Sequence, residues 1–175
     1  MPQPRTSALR RTRGSAMVEF CLAGIATTFL LISTVSLCLA MWNYHTLAFA
    51  LHEATRYAAV HGKNCSIPGN SCAITVGDIA NKITTNAIGV DAGLVNVTLT
   101  TDSGDATPCN PLNSCSSDTT VWPPASNSDN RVGKNITISA KYNVRTPLAM
   151  FWPGTSPQQF GAIWLTANSS QKILF

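Results

Sequence analysis

Residues 10–42 read RRTRGSAMVEFCLAGIATTFLLISTVSLCLAMW, and this stretch decides the architecture. From Phe20 to Trp42 it holds 23 residues without a charge. At a rise of ~1.5 Å per residue, a helix of that length covers about 35 Å, enough for a hydrocarbon core of ~30 Å. The next charged residue is Glu53. Trp42 and Tyr44 close the run, and amphipathic aromatics favour the boundary between membrane and water. A buried core helix is the alternative, but soluble helices seldom stay uncharged for so long. Arginines precede the span, while His45, His52, Glu53 and Arg56 follow it. The positive-inside rule then places the N-terminus in the cytoplasm and the C-terminus outside.

The charge balance follows the same division. The chain has 175 residues, 12 Lys+Arg against 8 Asp+Glu, and a formal net charge of +4. Its length leaves room for one domain plus an anchor and excludes a large multidomain enzyme. With 45% hydrophobic and only 11% charged residues it does not have the composition of a disordered chain. Arg5, Arg10, Arg11 and Arg13 account for the whole excess, because cations and acids balance from Ser15 onward. A broad basic surface is therefore missing, and nucleic acid is not an expected partner.

The helix is expected to continue past the membrane. No proline occurs between Pro4 and Pro68, and no glycine between Gly24 and Gly62. Leu47, Leu51, Ala54 and Ala58 recur at helical spacing and mark one apolar face. Gly62 is a suitable C-cap, so the pattern predicts one helix from near Ser15 to His61. The span would occupy about 20–42 and an amphipathic extension 43–62. A small-x-small site, Ala48-Phe49-Ala50, leaves signal-peptidase cleavage as a competing fate, although the apolar stretch exceeds the 7–15 residues of a signal core.

One acid does not fit an ordinary anchor. Glu19 sits at the inner edge of the apolar run, where a boundary carboxylate reaching back to the cytoplasm is the simple explanation. Its neighbours point further: basic residues, Gly14, four residues, Glu19, Phe20, then the span. This arrangement resembles the processing site of type IV pilin-like proteins. Together with AMVEFCLAG and HEATRYAAVHG at residues 52–62, it is similar to the TadE-like minor pseudopilins of the tight-adherence (Flp) branch. The resemblance covers residues 10–62 in sequence and the remainder in architecture only. It implies that Arg10, Arg11 and Arg13 belong to a basic leader, residues 1–14. It implies cleavage by a prepilin peptidase between Gly14 and Ser15, with Glu19 fifth in the mature chain and Phe20 as its aromatic partner. It further implies that Glu19 pairs with the N-terminal amine of a neighbouring subunit, in a protein serving pilus biogenesis at the inner membrane. The implied partners are the peptidase, other pilin and pseudopilin subunits, the assembly platform and the lipid bilayer. An unpaired buried charge is expensive, so mutual pairing would fix the axial register of stacked helices.

Residues 63–175 read as an exported α+β head. Thr75 and Asp78 form a capping-box pattern. Val76, Ile79, Ile83 and Ala87 then follow helical spacing, with Gly89 as the stop. Period-2 alternation marks strands at Val95–Thr100, Ile136–Val144 and Ile163–Ala167. The expected fold is a three- or four-stranded antiparallel sheet packed on the second half of the long helix. Between the first two strands, residues 102–133 are rich in Ser, Asn, Asp, Thr and Pro and are expected to be irregular, as a contact surface or a tolerated insertion. Asp102-Ser-Gly-Asp105 lacks the spacing of an EF-hand loop, so no metal is expected there.

Cys21 and Cys38 stand 17 positions apart within the span, about 25 Å along a helix, and cannot pair with each other. Cys65, Cys72, Cys109 and Cys115 lie in the head and permit three connectivities. The two local pairs, Cys65–Cys72 and Cys109–Cys115, are the expectation, each contributing roughly 2–2.5 kcal/mol by loop entropy. Zinc is the weaker alternative, because the spacings do not match zinc motifs. No catalytic motif is present: His52-Glu53 opens like HExxH, but position 56 is Arg. The expectation is a structural protein without cofactor, the alternative being an uncleaved anchored protein with a binding head.

Overall fold

The computed structural model describes residues 13–61, 72, 74–145 and 162–174. It is an α+β chain in which one long helix carries a four-stranded antiparallel sheet and a second, short helix. The long helix α1 runs from Arg13 to Val60, 48 residues without a break. The lack of proline, and of glycine beyond Gly24, allows this continuity. Gly62, the expected cap, lies outside the described residues.

The second half of α1 is the spine of the core. Leu47, Leu51, Ala54 and Ala58 are completely buried, as their spacing predicts, and Ala50 joins them. The small side chains at 50, 54 and 58 let neighbouring elements approach the helix closely. Helix α2, Val76–Asn86, lies along α1 in the opposite direction: Lys82 Nζ stands 5.6 Å over the Tyr57 ring, and Gly89 reaches Trp42 and Asn43. Thr75 and Asp78 form the reciprocal capping box, with Thr75 N–H donating to Asp78 Oδ2 at 2.9 Å and Asp78 N–H to Thr75 Oγ1 at 3.1 Å. The Thr75 N–H, and the Thr75 hydroxyl that donates to Asp78 Oδ2 at 2.8 Å, hold the Asp78 carboxyl below its ordinary pKa. The helix ends at Asn86, three residues before the glycine that reads as its stop: Ala87 N–H makes the last i→i−4 bond, to Ile83 O, and its ψ of 65° leaves helical geometry. Gly89 then turns the chain with a φ of +84°.

The strands are β1 (Val95–Thr101), β2 (Ala106–Cys109), β3 (Asn135–Arg145) and β4 (Ala162–Lys172), in the spatial order β2-β1-β3-β4. Alternation puts Val95, Val97, Leu99, Ile136, Ile138, Ala140 and Tyr142 against the helices. Strand β4 extends five residues beyond the apolar run that marks it. Asn168 to Lys172 carry no alternating apolar side chains, yet they pair with Asn135–Ser139. Backbone ladder bonds hold this half of the edge strand, joined by one side-chain bond from Thr137 Oγ1 to Ser170 Oγ at 3.0 Å. Residues 102–133 are also more ordered than their composition predicts. They contain β2 and short 3-10 turns at Leu112–Cys115 and Ser126–Ser128, and Val121 bridges to Thr75.

This connection must cross from β2 at the sheet edge to β3 on the other side of β1. It does so over the N-terminus of α2, where Val76 N–H donates to Thr120 O at 2.8 Å and Gly77 N–H to Asp118 O at 2.9 Å. Two orphan helix N–H groups thereby find partners. The crossing requires glycine at 77, since a Cβ there would stand 2.8 Å from Asp118 O and 3.0 Å from Ser116 O, both main-chain atoms. Gly77→Ala should gain at most about 1 kcal/mol of helix propensity but lose roughly 1–3 kcal/mol to overpacking. A lower thermal midpoint of the detergent-solubilised chain is expected, and an unchanged or higher one would refute the tight crossing.

Candidate functional site

The first half of α1 is the part of the fold left without a protein partner. From Met17 to Trp42 nearly every large apolar side chain is exposed, Phe20 to 80%. Among the described residues this is the one helix long and apolar enough to cross a membrane. Fully burying each such side chain is worth about 1.5–3 kcal/mol, so the surface demands an apolar environment. Its hydroxyls are adapted to one. Thr27 Oγ1 donates to Ala23 O at 2.9 Å, Ser33 Oγ to Phe29 O at 2.7 Å, and Thr34 Oγ1 to Leu30 O. Each of these three hydroxyls is satisfied within the helix and needs no water.

Arg13, Gly14 and Ser15 form the first residues of α1. The Gly14–Ser15 bond thus lies within helical backbone ahead of the apolar run. Gly14 further weakens the helix there, by about 1 kcal/mol relative to alanine. Position 19 lies four residues after position 15 on the same face, about 6 Å further along the axis. Glu19 and Phe20 are exposed among apolar neighbours. Arg10 and Arg11 lie outside the described residues. The arrangement is a helix-weakening glycine followed by a single carboxylate at the edge of an apolar rod.

The competing site at Ala48-Phe49-Ala50 has a different setting. Ala50 is buried in mid-helix between Leu47 and Leu51. A cut after Ala50 would remove Leu47 and Ala50 from the core they help to fill.

In the head, Cys109 and Cys115 form the expected disulfide, with S–S 2.01 Å and Cα–Cα 5.6 Å. Cys72 is also disulfide-bonded. Cys65 and its pairing with Cys72 lie outside the described residues. Cys21 and Cys38 are free and exposed on the apolar half of α1. Glu53 sits 4.0 Å from Arg56, which occupies the place where the zinc-protease pattern needs histidine.

The tip of the β1–β2 hairpin holds a polar network that the sequence hints at only as a weak calcium-like loop. Asp102 accepts from Lys134 Nζ at 2.7 Å and from Asn135 Nδ2 at 3.3 Å. The Lys134 ammonium holds the Asp102 carboxyl below its ordinary pKa, and Asp102 raises that of Lys134 in return. Asp129 is buried and accepts from the Ser103 hydroxyl. The two carboxylates are thus engaged separately, and no three His, Cys, Asp or Glu side chains converge as a metal site among the described residues. The long spacing between Ser103 and Asp129 gave no local signal for this contact. Comparison with family models, curated proteins and solved structures returned no match to this chain.

Burial pushes the Asp129 carboxyl up, but bonds from Ser103 and Thr101 together with the Lys134 charge outweigh it and leave the pKa lowered. A depressed folded pKa contributes stability above the ordinary aspartate value of about 3.9, and this is lost as pH falls through the folded value. Amide exchange at Thr101 and Gly104, which close the hairpin turn, should therefore accelerate only below that range. Asp129→Asn should abolish this acid step. The same acid profile in both proteins would exclude Asp129 as its source.

Proposed function

We propose that this chain is a TadE-like pseudopilin, a membrane-anchored structural component of a tight-adherence pilus system and not an enzyme. The observation that carries the reading is α1 itself. One unbroken helix joins a lipid-compatible, largely exposed first half to a second half packed against a folded head, and a single carboxylate marks the inner edge of the exposed part. Such a subunit can wait in a bilayer and later exchange lipid for the apolar helices of its neighbours. Both environments are apolar, so the transfer leaves the large apolar term nearly unchanged.

The mechanism centres on charge. The leader arginines keep the N-terminus in the cytoplasm, and the head folds on the opposite side of the inner membrane, where disulfides form. A prepilin peptidase cuts between Gly14 and Ser15, removes Arg10, Arg11 and Arg13, and creates an α-amine at Ser15. The cut also leaves Glu19 within about one turn of the new helix N-terminus, whose partial positive charge favours a carboxylate. When helices stack, Glu19 of one subunit meets the amine of the next. Other pilin and pseudopilin subunits, the peptidase and the assembly platform are the partners of this cycle.

Intact mass and N-terminal sequencing of the protein extracted from membranes test the reading. A mature chain starting at Ser15 is expected, and Gly14→Ala should leave it uncut. A start at Met1 would favour an uncleaved anchor with an adhesive or binding head, and one at Leu51 a secreted domain. Glu19→Ala is expected to remain membrane-bound and processed while its incorporation falls at least about tenfold, because its partner amine would be buried unpaired. Normal incorporation of that variant would remove Glu19 from the mechanism.

A further inference from the structure

We propose that the base of the head is a membrane-contacting surface, formed by the Ile88–Gly89 turn and Trp164, that rests in the headgroup layer of the bilayer crossed by α1. The inference depends on reading the first half of α1 as a span and adds to it where the head sits. After α2 the chain returns to α1 at the residue closing the uncharged run: a Cβ on Gly89 would lie 3.9 Å from both Trp42 Nε1 and Asn43 Oδ1. Ile88 is 70% exposed, although α2 buries Val76, Ile79 and Ile83, and neighbouring Trp42 is 60% exposed.

Strand register brings in the third side chain. Val95 begins β1 shortly after Gly89 and pairs with Tyr142, which pairs with Leu165. Trp164 precedes Leu165, pairs with Asn143 and is 40% exposed on the sheet face turned away from the helices, at the same depth. The direction of β4 agrees, since Leu174 N–H bonds Ala59 O near the far end of α1 and β4 packs along that helix. Ten residues at ~3.3 Å carry the strand about 33 Å back from there. Trp164, Asn96, Lys141 and Thr166 line a shallow concavity of about 350 Å³.

The chemistry of this end matches lipid headgroups. Indole rings place an apolar body and a polar N–H at the interface, isoleucine reaches the acyl boundary, and a lysine ammonium meets lipid phosphate. Asp91, the acid nearest Ile88 in the chain, is turned to the Gly93 N–H at 2.8 Å. The surface is also continuous with the span. The covered stripe of α1 runs below Trp42 through half-buried Asn43 and Ala40 to buried Ser36. Head and lipid therefore meet along the same few turns of helix.

The test uses the full chain in phosphatidylcholine–phosphatidylglycerol vesicles, with a photo-reactive diazirine side chain placed in turn at Ile88, Trp164, Leu30 and Val132. Leu30 reports the span. Val132 is 53% exposed at the opposite end of the head, where Gly133 N–H bonds Ile173 O. Lipid adducts at 88 and 164 should exceed those at 132 by about tenfold and approach those at 30. Adducts at 30 with only the Val132 level at 88 and 164 would overturn the proposal and leave the span intact. No adducts at 30 would overturn the span and the proposal with it.

Discussion

Burial of one stripe of α1 governs the rest of the molecule. Leu47, Ala50, Leu51, Ala54 and Ala58 are sealed by α2 and the sheet, whereas the same helix a few turns earlier is apolar all round and exposed. A rod with these two patterns cannot be satisfied by a single solvent. Its striped half needs a folded partner and its uniform half needs lipid or other helices. Everything else follows from supplying the first need without disturbing the second. The head must cover one side of residues 47–58 with small parts. It uses an eleven-residue helix and the alternating faces of β1, β3 and β4.

The α1 stripe was legible in the sequence because helical spacing and the lack of breakers are local properties. The same holds for α2, whose capping box and apolar positions sit within a dozen residues, and for the alternation of β1 and β3. Less legible were the features that depend on distant partners. β2 contains Pro108 and only four residues, so nothing in it signals a strand until β1 is beside it. The second half of β4 is polar throughout and is a strand only because β3 offers a ladder. Gly77 looks like an ordinary helix glycine until the backbone of residues 116–118 crosses it. The Ser103–Asp129 contact spans 26 positions and has no periodic signature.

The candidate site divides in the same way. Gly14, Ser15, Glu19 and Phe20 follow one another on a single helix, so their arrangement needs only order along the chain, which sequence conveys. The head end of the molecule is different. Ile88 and Trp164 are isolated apolar residues in sequence, and only the return of α2 to Trp42 and the register through Tyr142 bring them to the same rim. Residues distant in the chain acquire a common role when they share a depth along α1.

The unbroken course of α1 has a geometric consequence. At ~100° per residue, the roughly 28 residues between Glu19 and Leu47 amount to nearly eight turns, leaving the carboxylate about 80° from the buried stripe in azimuth. No hinge separates the two, so this phase angle is set by residue count alone. One residue added between them would swing the head by ~100° while raising it only ~1.5 Å. Chain length in this segment thus acts as an angular coordinate, and the facing of the head about α1 is written in the number of residues beneath it.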